Sequence, residues 1–455
     1  MASEQPNQRR HVLPPDWRKV AWDALLILLS PLLLIYLLGR LVRGKSLQGL
    51  RERLGFVPLA ARNLDRPDEP LIWIHACSAG EVGATEPIIR ELHQAEPHAH
   101  VVLSTITPTG RQVAQTRKLE VEALLYFPLD FPGISERVLD ALRPRVVVVA
   151  ETELWPNFFA AAAQRGIPVC TVNGRLSDQS FPRYRLFRRL TRWILGHLEF
   201  ICVQSELDAQ RFLALGADPD QVNIVGNSKF DESFPHVPPE GAAKWRQDLG
   251  FTQEQPILVA ASTHPREEEL VLACYERLRA THPDLGLLIA PRHPERGDAI
   301  ATLIGEYGYG CRRRSTQAAG GEPAVAAPDA RVQVALLDTI GELGEVYSIA
   351  TVVFMGGSLV NIGGHNFLQP MALHRPVIFG PHMHNFRDLT GMALREGAAL
   401  QVANPEELCE TVDRLLNFEA DRQLLAVKAE ALLARNTGAA RKMVDRIVDL
   451  LERTL

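Results

Sequence analysis

Short apolar runs recur along most of this chain, and a stretch of helical pattern follows almost every one. Residues 71–78, 101–106, 145–150, 167–172, 200–204 and 222–225 form one series, and 256–261, 285–290, 332–337, 351–355 and 376–379 form a second. The runs are apolar at nearly every position rather than at alternate ones, so the strands they predict are covered on both faces. Strands of that kind, separated by helices, specify parallel sheets of the doubly wound α/β class. A chain of 455 residues, 46% of them hydrophobic, is too long for one ordinary core. The segment ESFPHVPPEGAA, residues 232–243, separates the two series and has the composition of a linker. The expectation is two Rossmann-like domains facing one cleft. Residues 312–330 read as a flexible surface loop within the second.

The N-terminus differs from everything after it. Residues 24–38 read ALLILLSPLLLIYLL, with Arg9, Arg10, Arg18 and Lys19 before them and Arg40, Arg43, Lys45, Arg51 and Arg53 after. At about 1.5 Å per residue the run falls slightly short of a ~30 Å hydrocarbon core. Asp23 and Pro31 weaken a spanning reading. The following LGRLVRGK offers no small-residue cleavage site, which argues against a signal peptide. The expectation is a membrane-anchor helix, spanning or lying in the interface; a buried soluble helix is the alternative. The basic cluster after the run, and six scattered cysteines without CxxC spacing, place the main body in the reducing cytoplasm. A net charge of −5 argues against a dedicated nucleic-acid binder. The expected division is 1–48 as basic segment and anchor, 49–235 as the first Rossmann-like domain, 236–255 as linker, and 256–455 as the second with terminal helices.

Ligands of such sheets bind beyond the carboxyl ends of the strands, and the unusual residues of this chain lie there. Run 71–78 leads into Gly80-Glu81, where Glu81 reads either as a helix-start acid or as a general base. Run 145–150 leads into Glu151-Thr152-Glu153, two acids that alternation puts on one side. Paired acids suit sugar chemistry, one taking a proton and the other steadying positive character. Lys229, in GNSKFD, reads as a partner for a leaving phosphate or as a surface lysine. In the second series, Pro291-Arg292 follows a strand where a guanidinium can grip phosphate, and Ser262-Thr263-His264 can add hydrogen bonds. Gly341 in the turn Ile340-Gly341-Glu342 lets backbone approach a base. Residues 352–381 combine two glycine pairs, Gly356-Gly357 and Gly363-Gly364, with a helix start at Asn366-Phe367-Leu368-Gln369, and read as a phosphate-holding loop. His365, His382 and His384 lack a carboxylate or cysteine at ligand spacing, so loop hydrogen bonding is expected of them rather than a metal. The stretch RYRLFRRLTRW, residues 183–193, reads as a solvated basic face or as a surface for anionic lipid head groups.

The motifs HACSAGEVGA, ETELWPN, GNSKFD, ASTHPREEE, APRHPER, DTIGELGEVY and GGSLVNIGGHNFLQP occur in the order found in the lipid A Kdo (3-deoxy-D-manno-octulosonic acid) transferases of Gram-negative bacteria. The chain resembles that family from the N-terminal run to near its C-terminus. The resemblance implies a GT-B glycosyltransferase on the cytoplasmic face of the inner membrane. It implies transfer of Kdo from CMP-Kdo to lipid A precursor with inversion and without a metal or other cofactor. Carried onto matching positions, it makes Glu81 the general base, Glu151 the second catalytic carboxylate and Lys229 its partner in steadying the transition state. It places CMP against Pro291, Arg292, Ile340, Gly341, Glu342, Asn366, Phe367, Leu368 and Gln369. The family pattern has Glu where this chain has Gln369, which weakens the expected grip on ribose. Another GT-B nucleotide-sugar enzyme, and an anchored CMP-binding protein with a decayed site, are the competing readings.

Overall fold

Among the described residues of the computed structural model of this protein, fourteen parallel strands are divided equally between two sheets. It describes residues 17–42, 48–62, 64–66, 68–232, 237–318 and 334–453, without the side chains of 32–42 and 317–318. The chain divides into two units, Met1–Glu232 with Asn436–Leu455, and Ser233–Arg435.

The first sheet contains β1 (Leu71–His75), β2 (His100–Thr105), β3 (Ala123–Tyr126), β4 (Val146–Ala150), β5 (Val169–Gly174), β6 (Leu198–Val203) and β7 (Val222–Ile224). Their order is β3-β2-β1-β4-β5-β6-β7. β1 lies between β2 and β4, with Ile72 opposite both Val101 and Val146. All five residues of Val146–Ala150 are buried, as a valine run covered by helices on both faces requires. Strand order reverses between β1 and β4, so the crevice beyond their carboxyl ends is the topological switch point.

On one face of this sheet Trp73 of β1 joins a core cluster with Phe158, Phe159 and Trp193 among others. The other is covered in part by the last helix, Ala439–Glu452, through Met443, Val444 and Ile447. That helix was expected to belong with residues 256–455. It returns to the first unit because its apolar stripe fills the outer face of Ile72, Ile74, Val146 and Val148. Asp231 fixes the return, its carboxylate accepting the N–H groups of Gly438 and Ala440 at the helix start.

The second sheet contains β8 (Ile257–Thr263), β9 (Gly286–Pro291), β10 (Cys311–Arg313), β11 (Val334–Leu336), β12 (Val352–Met355), β13 (Val377–Phe379) and β14 (Leu400–Gln401). Their order is β10-β11-β9-β8-β12-β13-β14, so the switch point falls between β8 and β12. Part of the expected linker is the helix Pro239–Leu249, which belongs to this unit. Residues 312–318, expected as loop, belong to β10 and a short helix, Arg314–Ala318; residues 319–330 lie outside the description.

A helix spans Trp17–Val42 and contains Pro31. Lys19 joins it to helix Ile134–Leu142, pairing with Asp23 at 2.7 Å and Glu136 at 3.4 Å. Among the described residues no helix is long and apolar enough to cross a membrane. The apolar run 24–38 lies only partly within the described side chains, and Arg9, Arg10, Arg43 and Lys45 lie outside the description.

Candidate active site

Glu81 stands in the first turn of helix Ala79–Ala95, which begins directly beyond β1. Its carboxylate turns back on the start of that helix. Oε2 accepts the Cys77 N–H at 2.8 Å and Oε1 accepts the Ser78 hydroxyl at 2.8 Å. The side chain is therefore tied to the two residues that lead into the helix. It is also chemically unusual, because burial and the neighbouring Glu151 push its pKa up to about 8.

Glu151 follows β4, the strand beside β1 across the switch point, and holds a left-handed backbone with φ 56°. A non-glycine residue in that region carries a backbone cost, a trait frequent at working sites. Glu153 completes the cluster, its pKa pushed up to about 7 by burial and by Glu151. Burial and the acids around it push the Cys77 thiol up to about 12. The Cys77 sulfur and one carboxylate oxygen each of Glu81 and Glu153 lie within 4.8 Å of one another, the one group among the described residues able to offer a metal three ligand atoms.

Lys229 is brought in by the 3-10 turn Ser228–Asp231 beyond β7. Ser228 ties that turn down, its hydroxyl donating to the Ala84 carbonyl at 2.7 Å and its N–H to Asn173 Oδ1 at 3.1 Å. Lys229 Nζ then lies 3.5 Å from Glu151 Oε1. The three residues expected to do chemistry thus gather beyond the strand ends of one sheet, with Lys229 among several acids.

In the second unit the residues expected to hold the nucleotide stand beyond four neighbouring strands, β11, β9, β8 and β12. Arg292 is exposed just past β9, its N–H donated to the Thr263 carbonyl at 3.0 Å. His264 and His365 lie edge to edge, Nε2 to Nε2 at 2.8 Å with ring planes 2° apart. A bond between two ring nitrogens needs one donor and one acceptor, so the pair shares a proton. Burial, with His264, Arg292 and His293 nearby, holds His365 down at about 3. The absence of a side chain at Gly357 makes room, because a Cβ there would stand 3.1 Å from His365.

The glycine loop departs from its expected role. The amides of Gly357, Ser358 and Leu359 converge on the buried Glu267 carboxylate at 2.6 Å, 3.0 Å and 3.0 Å, and Glu267 also takes the His264 N–H at 3.1 Å. Where a phosphate was expected on these amides, the protein supplies its own anion. The sequence reading missed Glu267; its signal was three acids, Glu267–Glu269, opening a helix straight after a buried strand.

Phe367 and Leu368 are buried, and Phe367 packs on Phe379 with centroids 5.2 Å apart, so only their backbone can face a ligand. Asn366 Oδ1 accepts the Leu368 N–H at 3.0 Å, and Gln369 is half-buried in the short helix Leu368–Ala372. Glu342 is held by Arg314 at 2.8 Å, which keeps its pKa below the usual carboxylate range. Ile340 is 78% exposed in the same turn, where Gly341 has φ 91°.

The family model of 3-deoxy-D-manno-octulosonic-acid transferase (kdotransferase) matches residues 48–232. The chain is 34% identical over 445 residues to the 3-deoxy-D-manno-octulosonic acid transferase of Haemophilus influenzae, covering 96% of this chain and all of that protein. It is 32% identical to the enzyme of the same name from Bordetella pertussis, covering 84% of this chain and 87% of that one. Two solved structures share the fold at low identity. UDP-GlcNAc 2-epimerase from Neisseria meningitidis is 14% identical with TM-score 0.53, over 84% of this chain and 100% of that one. A glycosyltransferase from Rickettsia africae is 12% identical with TM-score 0.52, over 85% and 98%. Both support a GT-B fold, with two parallel-sheet α/β domains. With sequence kinship running over nearly the whole length, this chain belongs to the 3-deoxy-D-manno-octulosonic acid transferase family.

Proposed function

We propose that this protein is an inverting glycosyltransferase that moves Kdo from CMP-Kdo to the sugar hydroxyl of a lipid A precursor, in lipopolysaccharide biosynthesis. The observation that carries the reading is the meeting of Glu81, Glu151 and Lys229 beyond the strand ends of one sheet. Glu81 accepts the acceptor hydroxyl's proton as that oxygen bonds to the anomeric carbon. The bond from that carbon to the CMP phosphate oxygen breaks, and CMP leaves with the electron pair. A general base works best with a pKa near the operating pH, and Glu81 sits there. Glu151 faces the positive character that develops on the sugar, and Lys229 moderates the charge of the acid cluster and meets the departing phosphate. No metal or other cofactor takes part in this scheme.

CMP lies against Pro291-Arg292, the Ile340–Glu342 turn and Asn366–Gln369. Arg292 and Asn366 offer side chains; Phe367 and Leu368 offer backbone only. Arg314 occupies the Glu342 carboxylate, so that turn contributes through its peptide groups and the exposed Ile340. The N-terminal helix holds the enzyme to the cytoplasmic face of the inner membrane, a reading supported by its exposed Trp17, Ile27 and Leu28 and by six unpaired cysteines.

Incubation with enzymatically generated CMP-Kdo and tetraacylated lipid A precursor, read by mass spectrometry, tests the proposal. A product heavier by Kdo units supports it and counts the sugars added. Stabilisation by UDP-sugars but not by CMP overturns it in favour of another nucleotide-sugar enzyme. A protein that binds CMP yet forms no product with this acceptor points to a decayed site or a different acceptor.

A further inference from the structure

Two stretches far apart in sequence build one basic, aromatic pocket in the first unit. Trp17 and Arg18, at the start of the N-terminal helix, face Arg189, Leu190, Arg192, Trp193, Gly196 and His197, on and just after helix Arg188–Leu195. The space between them is about 940 Å³. Trp193 is almost buried and meets the His197 ring edge-on at 5.1 Å, and His197 Nδ1 lies 2.8 Å from the Trp193 carbonyl, so this wall is braced. The Arg189 and Arg192 side chains form no hydrogen bond or salt bridge among the described residues. By contrast, Arg188 donates to the Ala214 carbonyl at 2.8 Å.

The two stretches that build the pocket also leave large apolar side chains in the open. Trp17 is 71% and Leu28 76% exposed on the N-terminal helix, and Leu186 77% and Phe187 63% exposed just ahead of Arg188. Cationic side chains in a recess, with exposed apolar ones on the same stretches of chain, match the boundary between lipid head groups and acyl chains. Guanidinium groups bind phosphate oxygens in pairs, and indole rings settle at head-group depth. We propose that this pocket binds the phosphodiester of an anionic glycerophospholipid, with the exposed apolar residues entering the acyl region. The pocket would fix how the first unit meets the bilayer, a finer role than anchoring by the N-terminal run. It rests on the membrane-bound reading above but not on the sugar chemistry.

Flotation of the full chain with phosphatidylcholine vesicles, with and without phosphatidylglycerol, tests the site, alongside blue shift of tryptophan emission. Phosphatidylglycerol should strengthen binding, and Arg189→Ala with Arg192→Ala should remove at least about tenfold of that gain. Arg189→Lys with Arg192→Lys should retain most of it, which separates lost charge from lost folding. Arg183→Ala with Arg185→Ala removes the same charge outside the pocket and should cost only about twofold. Equal losses from the two alanine pairs would show a diffuse basic surface and overturn the pocket. Displacement of the vesicles by millimolar inorganic phosphate would show a site for free anions instead, and would also overturn it. CMP binding by the same proteins reports the donor site separately, so failure of the transferase reading would leave the vesicle result intact.

Discussion

Lys229 Nζ stands 3.5 Å from Glu151 Oε1, although the two residues leave different strands of the sheet, β7 and β4. Ser228 makes the meeting possible by tying the Lys229 turn to Ala84 and Asn173. The lysine sets a positive charge against Glu151 in a cluster that also holds Glu81 and Glu153. Lys229→Ala should lower kcat/KM by about 10²-fold, the usual scale for removing one charge-stabilising group from a transition state. Lys229→Arg should recover part of the loss. Steady-state rates of both variants check this; kcat/KM within twofold of wild type in Lys229→Ala would remove Lys229 from the chemistry.

The acid cluster sets a pH dependence whose direction follows from its geometry. Glu81 must be ionised to accept a proton, and its pKa is pushed up to about 8. The kcat/KM profile should therefore rise through an apparent pKa near 8, a property of the coupled acids rather than of Glu81 alone. Glu153 is one of the charges that raise Glu81. Glu153→Gln should move the rising limb toward lower pH, and a limb that stays in place would separate Glu153 from the base.

Replacing the base should reduce activity and change stability in opposite senses at alkaline pH. Glu81→Gln should lower transfer by about 10²–10⁴-fold while CMP binding stays near wild type. A raised carboxyl pKa favours the protonated native form, so its stabilising contribution is complete below the unfolded value of 4.5 and is lost as pH rises to about 8. The glutamine cannot ionise and escapes that loss. Melting curves should show Glu81→Gln gaining on wild type between pH 5 and 9. A constant difference across that range would mean that the native Glu81 pKa is ordinary.

Both sheets were legible because valine- and leucine-rich runs buried on two faces have no other stable arrangement. The missed strands lacked that signal. β3 has four residues, only two of them buried; β10 is Cys-Arg-Arg; β14 is two residues long. The return of helix Ala439–Glu452 was hidden for a different reason. A 3.6-residue apolar stripe reads the same whichever sheet it covers, and the deciding contact, Asp231 with the amides of Gly438 and Ala440, joins distant parts of the chain. Glu81, Glu151 and Lys229 were legible as individual residues after strands; their gathering was implied by the family resemblance and not by spacing, because the strand order decides it.

The Glu267 carboxylate is the acceptor for several amides of the glycine loop, and its removal should be felt mainly as stability. Glu267→Ala leaves the N–H groups of Gly357, Ser358 and Leu359 buried without an acceptor. A loss of about 3 kcal/mol or more is expected from unmet buried donors of this kind. Denaturant midpoints measure it, and CMP affinity should fall in parallel because the loop leads into Asn366–Gln369. A variant as stable as wild type would show that the loop holds its shape without the acid.

Gln369 tests whether the short helix Leu368–Ala372 faces the ribose. The amide can accept a hydroxyl proton, but only as a neutral group, whereas a carboxylate forms a bond about twice as strong. Gln369→Glu should therefore tighten CMP several-fold, by roughly 1 kcal/mol. The nearby imidazoles do not offset the new charge, because His365 is held neutral and shares its proton with His264. Any gain must then come from the ligand's hydroxyls, which 2′,3′-dideoxy-CMP lacks. Calorimetry with CMP and the dideoxy analogue separates the two possibilities. Tighter binding of CMP alone places position 369 at the ribose. An equal effect on both ligands would locate it elsewhere in the site.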